Sequence, residues 1–145
     1  MANSIELEVI TPEKLFYEGE VEIVIVRTLE GEEGFMANHS WSTKLLDIGE
    51  IWIKEAESKD FKLAAISGGF VDVQGDVMIF TDSAEWPEDI DPERTKLAKE
   101  NAESWLKSEE ASKATPEEIL DREQALKRAL NREKVLAGGS APRRR

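Results

Sequence analysis

The apolar residues of this 145-residue chain change their spacing once, near Trp86–Pro87. Before that point they alternate with polar residues or form short branched-chain runs, which is typical of half-buried and buried strands. After it they recur every three or four residues, which is typical of helices. This single change of period predicts an α+β fold, with strands in residues 1–86 and helices in residues 87–137.

Residues 1–86 contain many short strand patterns separated by turn residues. The predicted strands are 5–9, Val21–Thr28, Gly49–Glu55, Phe61–Ser67, Gly69–Val73 and Asp76–Asp82. Turns are predicted at Thr11–Lys14, at Glu30–Gly34 and at Gly75. So many short strands with frequent turns indicate a β-sandwich or a barrel.

Two helix start signals follow the strands. Asp91 is a good N-cap with Pro92 at the first helical position, and Thr115 begins a second helix with a capping box completed by Glu118. Small residues would let the two helices approach closely, and Gly138 ends the second one. The apolar positions that indicate the hairpin are Ala98, Ala102, Trp105 and Leu106, then Ile119, Leu126, Ala129, Leu130 and Val135.

A two-helix hairpin has only one shared apolar face, so it is marginal by itself. We therefore expect the antiparallel hairpin in 87–137 to rest on the β part, to rest on a partner, or to alternate between them. Residues 138–145, "GGSAPRRR", are predicted to form a flexible tail. Its three terminal arginines could contact an acidic partner or lipid headgroups.

The formal net charge of −12 is concentrated in the strand region. Residues 1–86 carry 18 acidic and 6 basic side chains, whereas residues 87–145 carry 13 of each. This balance argues against a nucleic-acid partner, which needs a cationic face. There is no cysteine, so the sequence excludes disulfides and thiolate metal sites and is compatible with an intracellular location. Neither a membrane span nor a signal peptide is predicted.

The carboxylate pairs invite comparison with acid–base enzymes. Glu32–Glu33, Glu88–Asp89 and Glu109–Glu110 are adjacent in sequence and fall in turns or at element ends. General acid–base catalysis needs two groups in different environments across a substrate. The sequence also shows no phosphate loop, serine elbow or metal-ligand cluster. We expect a chain that is non-catalytic by itself, and a small hydrolase remains the rival hypothesis.

Several segments together resemble the epsilon subunit of bacterial F-type ATP synthases, which is called delta in mitochondria. They are "VITPEKLFYEGEVEIVIVRTLEGEEGF" (Val9–Phe35), His39, "SGGFVDV" (Ser67–Val73), "AEWPEDIDPERTKLA" (Ala84–Ala98) and "ALKRALNR" (Ala125–Arg132). Their order and spacing cover nearly the whole chain. The chain is thereby identified as a member of that family.

The resemblance implies an N-terminal flattened β-sandwich followed by a C-terminal antiparallel two-helix hairpin. It implies that the sandwich contacts the gamma subunit and the c ring, and that the complex couples proton or sodium flow to ATP synthesis. The hairpin would extend toward the alpha and beta subunits to inhibit ATP hydrolysis. The implied location is peripheral, at the cytoplasmic face of the cell membrane. A free-standing ATP-sensing module is the alternative function.

In many bacterial members the folded-down hairpin binds ATP, as a regulatory ligand rather than an obligatory cofactor. The associated motif is Ile or Leu, then Asp, two free positions, Arg and Ala. Here it begins at Ile90 and Asp91 and continues to Arg94, and Thr95 replaces the final alanine. Asn101 stands where some ATP binders have a basic residue.

Three further residues match the family's ATP site: Glu85, Arg128 and Arg132. Arg128 and Arg132 are four residues apart and share a helix face, and the antiparallel hairpin would bring them to Arg94. Guanidinium groups suit phosphate oxygens, so the three arginines could converge on ATP. A structural interpretation stays open, in which Arg94 pairs with Glu85 or Asp91 on the surface. Arg128 and Arg132 would then be solvated, or would meet acidic residues of a catalytic subunit when the hairpin is extended.

The resemblance also implies that the loop from Glu32 to His39 faces the c ring, with Glu32 as a contact. Trp41 and Ser42 depart from the proline and large apolar residue usual in the family. Trp41 could instead fill a groove on a partner. His39 is the only histidine, and no second histidine or cysteine is present to help it bind a metal.

Overall fold

A computed structural model describes residues 3–140 and shows seven strands followed by three helices within them. The strands are β1 (Ile5–Ile10), β2 (Leu15–Thr28), β3 (Gly31–Met36), β4 (Ser42–Glu55), β5 (Phe61–Gln74), β6 (Asp76–Phe80) and β7 (Ala84–Glu85). A short 3-10 turn (Pro87–Asp89) leads into α1 (Pro92–Leu106), α2 (Glu109–Lys113) and α3 (Pro116–Leu136). The predicted α+β order of a β-sandwich followed by a helical hairpin is confirmed.

The strands form a closed, flattened ring. β1 pairs with β2 on one side and with β6 on the other, and the path continues through β5 and β4 back to β2. Only the β1–β6 pair is parallel among the strand pairs of residues 3–140. β3 extends the sheet beyond β2. Ring closure gives the strands inward faces that form one core.

That core is fully enclosed by the sandwich. Alternate residues of the strands point inward, as the period-two pattern predicts. The largest side chains with almost no exposure are Leu7, Val9, Val21, Val24, Val26, Phe35, Ile51, Ile53, Ile66, Val71, Val73 and Ile79. This core contains no helix residue, so it forms without a contribution from the hairpin.

Two sequence predictions about the strands were wrong. The predicted turn Glu30–Gly34 is mostly strand, because β3 begins at Gly31 and buries Phe35 while Glu32 faces solvent. The predicted strands Phe61–Ser67 and Gly69–Val73 are one continuous strand, β5. Gly68 and Gly69 have φ of +74° and +107°, so they bend the strand locally instead of ending it.

Both predicted helix caps are present. The Asp91 carboxylate accepts the backbone N–H groups of Glu93 and Arg94 at 3.0 and 3.3 Å. Thr115 Oγ1 accepts the N–H of Glu118 at 3.2 Å. These caps fix the residues at which α1 and α3 begin. The starting residue in turn determines which side chains of each helix face the other helix.

The helices pack through small residues, as predicted for Ala102 and Ala129, which are buried. The prediction was wrong for Ala98 and Leu130, which are exposed. Within residues 3–140, no helix has the length and apolar character to cross a membrane.

We predict that Gly69→Ala lowers the free energy of unfolding by about 3 kcal/mol or more. A Cβ at Gly69 would lie 1.8 Å from the Phe80 carbonyl oxygen, in addition to the left-handed backbone conformation. Gly75→Ala is the matched control, because Gly75 also has positive φ but no atom lies within 4 Å of its Cβ position. It should cost only about 1 kcal/mol. Urea denaturation followed by circular dichroism gives both values, and equal losses would contradict the steric argument.

Candidate functional site

The hairpin contacts the sandwich through the C-terminal half of α3 and through Ile90, two residues before α1. Ile90 and Val135 are buried with Ala65 of β5, and Leu63 and Leu136 pack against them. This apolar cluster is separate from the sandwich core. The hairpin is therefore attached through a small interface of its own.

Polar contacts surround the apolar cluster. Lys127 Nζ lies 2.7 Å from Asp47 Oδ1, and Asn131 Nδ2 donates to the Gly49 carbonyl oxygen at 2.9 Å. Residues 127 and 131 are one helical turn apart, so they face the same strand, β4. The interface therefore pairs basic and amide groups of α3 with acceptors of the acidic sandwich.

The surroundings of Asp47 lower the pKa of its carboxyl group. Burial alone would raise the pKa of the Asp47 carboxyl, but the hydrogen bond from Lys127 and the bond from the Ile48 N–H outweigh burial and lower it. A carboxyl whose pKa is lowered by docking stabilises the docked state above its ordinary pKa. That contribution is lost as the pH falls through the lowered value.

A depression of about 210 Å³ lies between the start of α1 and the end of α3. Five of the six predicted ATP-site residues line it: Glu85, Ile90, Asp91, Arg94 and Arg132. The structure therefore brings together residues that are up to 47 positions apart in sequence.

Arg128 does not line this depression. It lines a neighbouring cleft together with Asp82 and Glu123. The convergence of three arginines that the sequence predicted is thus a convergence of two, Arg94 and Arg132. Arg128 and Arg132 are one helical turn apart on α3, so their side chains lie beside different parts of the sandwich.

Internal contacts already occupy several groups of the depression. Arg132 Nε donates to Glu85 Oε1 at 2.6 Å, and the Asp91 carboxylate is engaged as the cap of α1. Thr95, noted in the sequence only as a motif departure, is buried and donates from Oγ1 to the Asp91 carbonyl at 2.8 Å. Among residues 3–140, Arg94 has no ion pair within 4.0 Å. The depression is suited to binding an anion through Arg94, and through Arg132 once its bond to Glu85 loosens.

The three predicted partner-contact residues differ in their surroundings. Glu32 is exposed on β3, and Trp41 is 75% exposed just before β4. The ring of His39 packs on Phe35 with centroids 4.8 Å apart, and its Nδ1 lies 2.8 Å from the Ser40 carbonyl oxygen. His39 therefore supports the loop, whereas Glu32 and Trp41 are available to a partner.

One surface was missed from the sequence. The cross-strand registers place Leu45, Phe70, Phe80 and Ile10 side by side on the outer face of β4, β5, β6 and β1. Leu45 is 62% exposed, and the rings of Phe70 and Phe80 stack at 4.8 Å. The available signal was one aromatic residue at an outward position in each of β5 and β6, beside the inward residues Val71 and Ile79. We call these four residues the outer apolar row.

A family model described as "ATP synthase, Delta/Epsilon chain, beta-sandwich domain" matches residues 4–87. The chain is 42% identical over 131 residues to the ATP synthase epsilon chain of Caldicellulosiruptor bescii, covering 90% of this chain and 91% of that relative. It is 47% identical over 107 residues to the epsilon chain of Alkaliphilus oremlandii, covering 73% and 78% respectively. The similarity to the first of these relatives extends well into the hairpin.

Solved structures show the same architecture. A chain in the cryo-EM structure of the Euglena gracilis mitochondrial ATP synthase (OSCP/F1/c-ring, rotational state 1) superposes with a TM-score of 0.78 at 28% identity. The match covers 92% of this chain and 82% of that chain. A chain from the Tetrahymena thermophila mitochondrial ATP synthase central stalk and c ring superposes with a TM-score of 0.60 at 17% identity, covering 91% and 96%. The second similarity concerns the fold alone.

We predict that Asp47→Asn weakens docking of the hairpin by about 0.5–1 kcal/mol at neutral pH. Docking can be followed by energy transfer between dyes on Ser58→Cys and Ser112→Cys, since the chain has no other cysteine. The difference from the native chain should shrink as the pH falls from about 5 to about 2, because Asp47 is then protonated. Asp72→Asn is the control, since Asp72 bonds Thr43 on the sandwich. An unchanged difference at low pH would contradict the assignment.

Proposed function

This chain belongs to the ATP synthase delta/epsilon chain family, and we propose that it is an epsilon-type subunit of the central stalk of an F-type ATP synthase. Its sandwich takes part in coupling proton or sodium flow to ATP synthesis, and its hairpin inhibits ATP hydrolysis. The observation that carries the regulatory part is the small, separate interface between hairpin and sandwich. The complex lies at the cytoplasmic face of the cell membrane, with this subunit peripheral.

The sandwich supplies the surfaces that such a stalk subunit needs. The outer apolar row fits the gamma subunit, because exposed aromatic and aliphatic side chains on a rigid sheet are characteristic of protein interfaces. Glu32 and Trp41 fit the c ring, as the sequence resemblance implies. The sandwich keeps its own core, so it can transmit torque whichever position the hairpin takes.

The hairpin is built to move as a unit. Lys99 Nζ lies 3.2 Å from Glu133 Oε1, and the Arg122 guanidinium stacks over the Trp105 ring at 4.8 Å. These contacts join α1 to α3 and do not involve the sandwich. Leaving the sandwich therefore costs the interface alone, and the extended hairpin reaches the alpha and beta subunits.

The pivot of this movement lies just after Trp86. The Trp86 ring stacks on Phe16 with centroids 4.6 Å apart and meets Tyr17 edge-on, so it stays with the sandwich. Ile90 belongs to the docking cluster and leaves with the hairpin. Rotation is thus confined to Pro87–Asp89, close to the boundary at Trp86–Pro87 that the sequence predicted.

ATP is the regulatory ligand that fits the depression best. Its phosphates would meet the guanidinium groups of Arg94 and Arg132 beside the start of α1. The depression of about 210 Å³ is below the roughly 300–1,000 Å³ of typical ligand pockets, so part of the nucleotide projects into solvent. A ligand that contacts both helices and Glu85 stabilises the folded-down hairpin.

The rival hypotheses make different predictions. Family membership favours a stalk subunit over a free-standing ATP sensor, and co-purification with gamma and the c ring separates the two. A hydrolase would turn over substrate as an isolated chain. We propose no catalytic activity for this subunit alone, and a turnover assay of the isolated chain tests that.

We predict that an ATP synthase assembled with the chain ending at Pro87 hydrolyses ATP severalfold faster than the native complex. Removing the hairpin removes the inhibitory element while the sandwich core remains intact. The control is the same complex with Gly75→Ala in the full chain. Unchanged hydrolysis would restrict this subunit to coupling.

We predict that isothermal calorimetry detects ATP binding to the isolated chain and that Arg132→Ala removes most of the heat. Arg128→Ala should retain it, because Arg128 lines the neighbouring cleft. Arg122→Ala is the control, since its side chain stacks on Trp105 away from the depression. Absence of heat from the native chain would remove ATP from the proposal.

A further inference from the structure

Arg27 of β2 has no role in the function proposed above. Its side chain is exposed, and among residues 3–140 no ion pair within 4.0 Å involves it. The side chain still follows a defined path, because Gly49 of β4 leaves room for it. A Cβ added at Gly49 would lie 3.1 Å from Cβ of Arg27, 3.4 Å from its Cδ and 3.6 Å from its Nε. Arg27 therefore runs across β4 beside Gly49, whose carbonyl oxygen accepts a hydrogen bond from Asn131 of docked α3.

Docked α3 brings two more cations to the same place. Arg27, Lys127 and Lys134 all line a groove of about 320 Å³ between α3 and the sandwich. Both lysines are paired there, Lys127 with Asp47 at 2.7 Å and Lys134 with Glu50 at 3.5 Å. Arg27 thus stands beside two sandwich carboxylates whose cationic partners belong to the hairpin.

Glu50 is well supplied with donors. Its carboxylate accepts the Ser140 N–H at 3.2 and 3.1 Å, and it accepts the Trp52 Nε1–H at 2.8 Å from the sandwich itself. Residues 139 and 140, part of the tail predicted as flexible, are therefore packed on the sandwich, and residues 141–145 lie outside those described. When α3 leaves, Glu50 keeps a side-chain donor in Trp52.

Asp47 depends on the hairpin more strongly. Its Oδ1 accepts from Lys127 Nζ and from the Ile48 N–H. Burial opposes ionisation of the Asp47 carboxyl, whereas the Lys127 hydrogen bond, the Ile48 N–H and the charges of Lys127 and Arg27 lower its pKa. Of the three cations that line the groove, Arg27 is the one that stays when α3 leaves.

Glu32 is the other acidic neighbour of Arg27. The register of β2 and β3 places the two residues directly opposite each other, which puts their Cβ atoms about 4.5–5.5 Å apart. In the described part of the chain they form no ion pair within 4.0 Å, and the arginine side chain runs over Gly49 instead. The geometry therefore favours the β4 side.

We propose that Asp47 exchanges partners, binding Lys127 when the hairpin is docked and Arg27 when the hairpin leaves. The groove gives the guanidinium group open space in which to turn. Separating an ion pair costs less when the carboxylate gains a second cation, so Arg27 weakens docking. This inference deepens the hairpin movement proposed above and rests on it for any effect on ATP hydrolysis, whereas the exchange itself is a property of the isolated chain.

Thiol labelling of the full-length chain with Ala65→Cys measures the undocked fraction. Ala65 is buried with Ile90 and Val135, so a cysteine there reacts when the hairpin opens, however rarely that occurs. Arg27→Gln should slow labelling about threefold, because the undocked state then loses one exposed ion pair. Arg27→Lys keeps the charge and should label at the native rate. An unchanged or faster rate in Arg27→Gln would overturn the proposal.

Two backgrounds separate the exchange from simple repulsion between Arg27 and the lysines. In Asp47→Asn there is no carboxylate to exchange, so adding Arg27→Gln should leave labelling unchanged. In Glu32→Gln, the matched control, Arg27→Gln should keep its threefold effect. A threefold effect in the Asp47→Asn chain would contradict the exchange, and so would its loss in the Glu32→Gln chain.

A titration of the Asp47 carboxyl by NMR gives a second readout. In the full chain with Lys127→Gln, Arg27 should still hold the pKa of Asp47 below its ordinary value, and adding Arg27→Gln should raise it. Equal pKa values in the single and double variants would overturn the proposal. This result does not depend on how ATP hydrolysis responds to ending the chain at Pro87, so the two proposals fail separately.

Discussion

The interaction on which the proposed behaviour of this protein depends is the small interface between α3 and the sandwich. Among the described residues, α3 is attached through one turn of apolar residues around Val135 and a small set of polar contacts to Asp47, Gly49, Glu50 and Glu85. An interface of this size contributes only a small part of the stability of a domain, and exposed ion pairs add about 1 kcal/mol or less each. An interface of this kind is compatible with the proposed movement of the hairpin, in which a ligand or partner subunit would select between docked and undocked positions.

The sandwich has the opposite property. Because β1 joins β2 to β6, the ring of strands leaves few unpaired backbone groups and encloses a core of its own. Trp86 stacks on Phe16, so the rigid part of the sandwich extends as far as residue 86. The sandwich and the hairpin thus meet at the short segment Pro87–Asp89, and the proposed roles of coupling and regulation would fall to different parts of one chain.

Much of this organisation was predictable, because it follows from local chemistry. The caps at Asp91 and Thr115 and the change of period at Trp86 needed no tertiary information. The strand β3 was missed because adjacent glutamates resemble a turn. In the edge strand they point to opposite faces, Glu32 toward solvent and Glu33 toward Lys44, 2.8 Å away. In the sequence, Gly68–Gly69 resembled a boundary between two strands. Pairing with the neighbouring strand β4 on both sides of these glycines shows that β5 continues through them with a bend. Arg128 was misplaced because spacing on a helix gives a shared face but not the position of the sandwich beside it.

The Glu85–Arg132 pair has a consequence for any anion that enters the depression. The carboxylate is tethered beside the guanidinium, so it acts as a permanent competitor at an effective concentration in the millimolar range or above. An incoming phosphate must first displace it. At the proposed ATP site, the pair would therefore raise the nucleotide concentration needed for binding.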